Sequence, residues 1–116
     1  MQADTYQTLI TDTLGNMKKL GGGIPAVMQN FNALGKSANT PGALDTKTKE
    51  LIALGIGVAA RCDGCIGFHT QALIRLGVTR AEFEEALGVA IYMGGGPSVM
   101  YAAKAIAAYE ELSTAP

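Results

Sequence analysis

Cys62, Cys65 and His69 stand together in the segment CDGCIGFH, and His69 is the chain's only histidine. On a helix, Cys65 and His69 are i and i+4, so a thiol and a base lie one turn apart on the same face and share a proton directly or through water. A helix that begins at this segment offers unpaired backbone N–H groups and its dipole to a thiolate, the reactive form of cysteine. Cys62, three residues upstream, is placed to capture an oxidised Cys65 as a disulfide, because so short a loop closes at little entropic cost. Two plainer readings stand beside redox chemistry. The cysteines could be small buried hydrophobes, or thiolate ligands of a zinc ion for which Glu50 is the one further ligand the sequence offers. A thioredoxin-like reading needs a βαβ context, which this chain lacks.

The elements that must carry these residues are helical. Apolar residues recur at spacings of three and four, and strand alternation is nearly absent, so the expectation is an all-α bundle of about six short helices in a single domain over residues 1–116. Asp4 is a candidate N-cap for a first helix with the stripe Tyr6, Leu9, Ile10, Thr13, Met17 and Leu20, and Gly21 to Gly23 end it. Pro25 opens a second helix with Val27, Met28, Phe31 and Leu34, and the segment SANTPG from Ser37 to Gly42 reads as loop. Asp45 or Thr46 caps a third helix that carries Glu50 and runs to about Ala60; within it Gly55 and Gly57 point to close helix approach. Asp63 is the expected cap of a fourth, from about Gly64 to Leu76, stopped by Gly77. Thr79 and Glu82 form a capping box for a fifth, with Phe83, Leu87, Ala90 and Ile91 on its stripe. Gly94 to Gly96 break that helix, and Pro97 starts an Ala-rich sixth that runs to about Leu112, with a frayed STAP tail.

A helical hairpin turning between Arg61 and Cys62 sets His69 opposite Leu54, four residues from Glu50, or about 6 Å along the helix. Spacing alone favours Glu50 as a solvated residue of the first turn. Tyr92, Met93 and the glycines 94 to 96 read as core plus turn ahead of a substrate-pocket lining, Met100 and Tyr101 as packing residues, and Lys47, Lys49, Glu84, Glu85, Glu110 and Glu111 as solvated faces.

Composition narrows the function classes. In 116 residues, 48% are apolar and 16% charged, enough for a core. Lys plus Arg number 9 and Asp plus Glu 10, for a net charge of -1 without any run of like charges, so no nucleic-acid partner is expected. The ten-residue apolar run LIALGIGVAA is too short for a membrane span, which requires roughly 18 residues. The start MQADTYQT has no basic and apolar leader, so the expected location is cytoplasmic. The third helix is apolar nearly all round, and the last presents Ala102, Ala103, Ala105, Ala107 and Ala108, small enough for another helix to approach; both features predict a homo-oligomer.

Glu50, Cys62, Cys65 and His69, spaced twelve, three and four apart, resemble the active-site pattern of the alkylhydroperoxidase D-like branch of the carboxymuconolactone decarboxylase family. The surrounding residues 46 to 105 are similar to the family core. The resemblance implies an all-α fold, a trimer or hexamer, and thiol-dependent reduction of hydroperoxides. In that scheme Cys65 attacks the peroxide, Cys62 resolves it, and a relay of Glu50 and His69 removes the thiol proton. It calls for no metal or organic cofactor, and for a dithiol reductant such as a dihydrolipoyl group or a thioredoxin-type protein. Two other functions fit the chain: lactone decarboxylation with His69 as general base, and a non-catalytic redox-sensing subunit.

Overall fold

A computed structural model describes residues 5–114, and the expected cap Asp4 and the end of the tail lie outside them. The described residues form six helices and no strand: α1 (Thr5–Gly23), α2 (Pro25–Asn39), α3 (Thr46–Ala59), α4 (Asp63–Arg75), α5 (Arg80–Gly94) and α6 (Gly96–Ser113). Their starts follow local chemistry. Asp45 caps α3 by accepting from the Thr48 N–H at 2.7 Å, and hydrogen bonds from Thr48 hold its carboxyl below the usual carboxylate range. Thr79 and Glu82 close the expected capping box of α5. Pro25 sits in the first turn of α2 and Pro97 in that of α6. α2 runs to Asn39, so Ser37 to Asn39, expected as loop, are helical; Lys49 and Thr46 bond its terminal carbonyls and let the last turn persist.

α3, α4, α5 and α6 pack as the core, and α1 lies across α4 and α6. Leu54 and Val58 of α3, Ile66 and Leu73 of α4, Phe83 of α5, and Ala105 and Ala108 of α6 are fully buried. Thus part of the alanine stripe of α6 is used inside the chain. Glycine sets two crossings. A Cβ on Gly67 would lie 3.2 Å from Ile10 of α1, and one on Gly57 would lie 2.9 Å from the Cβ of Cys65, so α3 meets α4 closely beside the second cysteine.

The first helical hairpin is different. Of the α1 stripe, Tyr6 and Ile10 are buried, while Met17 and Leu20 are exposed. No residue of α2 is buried, and Val27, Phe31 and Leu34 are 60–63% exposed. The radius of gyration, 14.5 Å, exceeds by about 1 Å the value expected for a compact chain of this length, as a projecting hairpin requires. Three expectations about packing fail: Tyr92, Met93 and Met100, on either side of the Gly94 to Gly96 break, are exposed, while Ala90, Ser98 and Ala102 of the same two helices are the residues buried there. Tyr101 does pack against the core. Nor are all the charged faces idle in solvent: Glu111 accepts the Tyr6 and Gln7 N–H groups at 3.0 and 2.8 Å and so caps α1, and Lys47 pairs with Glu82 at 2.9 Å.

Gly57→Ala should lower stability by about 1–3 kcal/mol, because the new methyl forces α3 from α4, a cost larger than the gain in helix propensity. Gly88 lies in α5 with nothing within 4 Å of an added Cβ, so Gly88→Ala should raise stability by about 1 kcal/mol. Urea unfolding of the two variants measures both signs.

Candidate active site

The turn between α3 and α4 is built by its backbone. Arg61 has φ of 60°, Arg61 N–H bonds the Val58 carbonyl and Cys62 N–H bonds that of Gly57, the paired bonds that finish a helix when one residue turns left-handed. Cys62 therefore ends one helix and begins the next. Its backbone is extended, and its Sγ accepts the Cys65 N–H at 3.1 Å, so Cys62 and not Asp63 is the N-cap of α4. Asp63 was the natural choice by side-chain type, but it already has a helical position and lies in the first turn, where a carboxylate suits the dipole.

Cys62 and Cys65 are joined as a disulfide, with Cα atoms 5.2 Å apart. Both are half-buried. The helix start thus serves Cys62 directly through an N–H donor, while Cys65 lies one turn before His69 on α4. His69 Nδ1 and Glu50 Oε1 are 2.6 Å apart, across from α4 to α3. An ionised carboxylate only accepts, so beside it Nδ1 carries the hydrogen, and in the neutral ring Nε2 is then the acceptor. The Glu50 residue is 7% exposed, which corrects the reading of it as a solvated first-turn side chain; the His69 side chain is 31% exposed. Cys62, Cys65 and His69, singled out by their spacing, and Glu50, brought in by the family resemblance, therefore lie where α3 and α4 meet.

Two neighbours were not singled out. Asn39, at the end of α2, donates from Nδ2 to Glu50 Oε2 at 3.3 Å. Tyr6 donates to Asp63 Oδ1 at 3.2 Å, and Lys104 Nζ lies 3.3 Å from both Asp63 oxygens, so the start of α4 is tied to α1 and α6. Burial, and then the Asp63 carboxylate, push the Tyr6 hydroxyl far above its ordinary range. Nothing in the spacing of Asn39 or Tyr6 marks them, since both contacts depend on how the first hairpin folds back. Among the described residues, no three His, Cys, Asp or Glu side chains assemble as a metal site requires.

Comparison with known proteins adds a family frame. The sequence profile of the carboxymuconolactone decarboxylase family matches residues 25–108. An uncharacterized protein of Cupriavidus necator is 39% identical over 107 residues, covering 92% of this chain and 95% of that protein. Among solved structures, a carboxymuconolactone decarboxylase family protein of Legionella pneumophila in its apo form superposes with a TM-score of 0.94 at 48% identity, covering 97% of this chain and all (100%) of that one. A family member from Thermotoga maritima, with a suggested part in the antioxidative response, superposes at 0.75 with 30% identity, covering 85% of this chain and 87% of that one.

The left-handed Arg61 gives the turn a specific test. A side chain with a Cβ costs about 1 kcal/mol in that region, so Arg61→Gly should stabilise the protein by about that much and leave the cysteine pair in place. Thermal unfolding, with thiol titration before and after reduction, reads both.

Proposed function

The chain belongs to the carboxymuconolactone decarboxylase family, and we propose that within it the chain is a thiol-dependent peroxidase of the alkylhydroperoxidase D-like kind. The observation that carries this reading is the Cys62–Cys65 disulfide on the same helix as His69, whose Nδ1 is bonded to the buried Glu50. In the reduced protein, His69 Nε2 takes the Cys65 thiol proton. The thiolate attacks one oxygen of a hydroperoxide; the O–O bond breaks, Cys65 becomes a sulfenic acid, and the departing alkoxide takes up a proton to leave as an alcohol or water. The Cys62 thiol condenses with the sulfenic acid, giving the disulfide and water. A dithiol reductant, a dihydrolipoyl group or a thioredoxin-type protein, returns the pair to two thiols and is itself oxidised to a disulfide.

The experiment is stopped-flow reaction of the reduced protein with hydrogen peroxide and an organic hydroperoxide, scored by mass spectrometry for the Cys62–Cys65 disulfide. Cys65→Ser should abolish peroxide consumption. Cys62→Ser should permit one oxidation and stop turnover. Steady-state consumption with a supplied dithiol excludes a purely redox-sensing subunit, and lactone decarboxylation that survives thiol alkylation would overturn the peroxidase reading.

The same reading includes a homo-oligomer, trimer or hexamer. Its support is apolar surface: Val27, Phe31 and Leu34 on α2, and a groove of about 380 Å³ between α3 and α5 walled by Ile52, Gly55, Ile56, Val89 and Met93. Ile56 is 64% exposed in the middle of the helix whose other face is the core. None of the four site residues lines this groove. Among the described residues, no helix is long and apolar enough to cross a membrane. Sedimentation equilibrium at low micromolar concentration should give a multiple of 12.0 kDa, and Phe31→Asp should shift the mass downward; a single 12.0 kDa species in the unmodified protein overturns the assembly.

A further inference from the structure

Glu50 has two oxygens, and the relay accounts for one. Oε1 meets His69, while Oε2 faces the Asn39 amide at 3.3 Å. A carboxylate this deeply buried is costly unless both oxygens find donors, and a carboxylate held at one oxygen is free to rotate about its last bond. The backbone around Asn39 is fixed independently of that side chain. Thr46 Oγ1 donates to the Asn39 carbonyl at 3.4 Å, and Lys49 Nζ donates to the carbonyls of Ala38 and Thr40 at 2.9 and 2.6 Å. Thr46 and Lys49 stand in the opening turn of α3, immediately before Glu50. The end of α2 is thus registered to the stretch of α3 that carries the carboxylate, although α2 itself buries no residue.

We propose that Asn39 is a positioning residue, which holds the Glu50 carboxylate so that His69 keeps its hydrogen on Nδ1 and presents Nε2 to the thiol. The proposal rests on His69 serving as the base for Cys65, as in the function proposed above. It assigns α2 a part in the site that its lack of core contacts would not suggest. The brace acts through donor chemistry and not through bulk, because the amide N–H, and no shape-matched acceptor, can satisfy Oε2.

The test uses the reduced full-length chain with ¹⁵N-labelled histidine. His69 is the single histidine, so its ring-nitrogen shifts at mildly alkaline pH report the tautomer without ambiguity. The companion readout is the rate of Cys65 alkylation by iodoacetamide, resolved by peptide mass spectrometry. The unmodified protein should show the Nδ1–H form. Asn39→Ala should give mixed tautomers and alkylation slower by about tenfold, the scale of one lost hydrogen bond to a charged group. Asn39→Asp keeps the size and the backbone bonds but sets a second acceptor against Glu50, so its loss should be at least as large. Retention of the Nδ1–H form and the parent alkylation rate in either variant overturns the proposal. Neither readout uses peroxide, so a protein that consumes no peroxide yet changes tautomer in Asn39→Ala would remove the peroxidase reading and leave the positioning role standing.

Discussion

The close crossing of α3 and α4 governs the rest of the molecule. A carboxylate at residue 50 meets an imidazole at residue 69 at 2.6 Å only because the two helices are drawn together beside Cys65, where Gly57 has no Cβ to hold them apart. The helix propensity lost at that glycine, about 1 kcal/mol, is small against what the approach secures. It buries Leu54, Val58 and Ile66 in one layer and places the disulfide and the acid–base pair along the same seam. Core packing and site geometry are here one constraint, so a change that loosens the seam moves both.

Cys62 shows how tightly the chain uses that seam. Its N–H completes the C-terminus of α3 and its sulfur caps the N-terminus of α4, so one residue satisfies orphan backbone groups of two helices. Reaching that position obliges Arg61 to take a left-handed conformation that a side chain disfavours. The helix start then acts on Cys62 while the imidazole lies a turn beyond Cys65, so the two sulfurs of the pair differ in surroundings. Such a difference suits a pair in which one sulfur attacks and the other resolves, a division that the proposed cycle requires.

How much of this was legible in the sequence depends on the range of the interactions. Helix periodicity, the capping box at Thr79 and Glu82, the stops at Gly77 and Gly95, and the one-turn spacing of Cys65 and His69 are local, and the fold class and the cysteine–histidine helix follow from them. Glu50 was harder. Its place four residues from the point facing His69 left it in reach, yet its bonds to His69 and Asn39 join three helices, which spacing does not encode. Side-chain type favours aspartate over cysteine as the cap of α4, whereas the backbone bonds of the preceding helix decide which residue is left extended, and that residue is Cys62. Glu111, read as solvated, caps a helix that begins more than a hundred residues earlier, and no local pattern announces a contact of that range.

The first hairpin joins the surface to the site. A helix of fifteen residues is marginal in water by itself, and among the described helices α2 leans on α1 and α3 alone. Three of its apolar residues, Val27, Phe31 and Leu34, face solvent, while its last residue touches Glu50. Opening of α2 therefore costs little buried area, and it would carry the Asn39 amide away from the carboxylate. Covering those three side chains, each worth roughly 1 kcal/mol or more, would shift that local equilibrium toward the docked helix. Under the proposed assembly, a neighbouring copy that covers α2 would steady the carboxylate without approaching the cysteines. On that reading, assembly and the proposed thiol activation would meet in α2, a helix that buries no residue of its own.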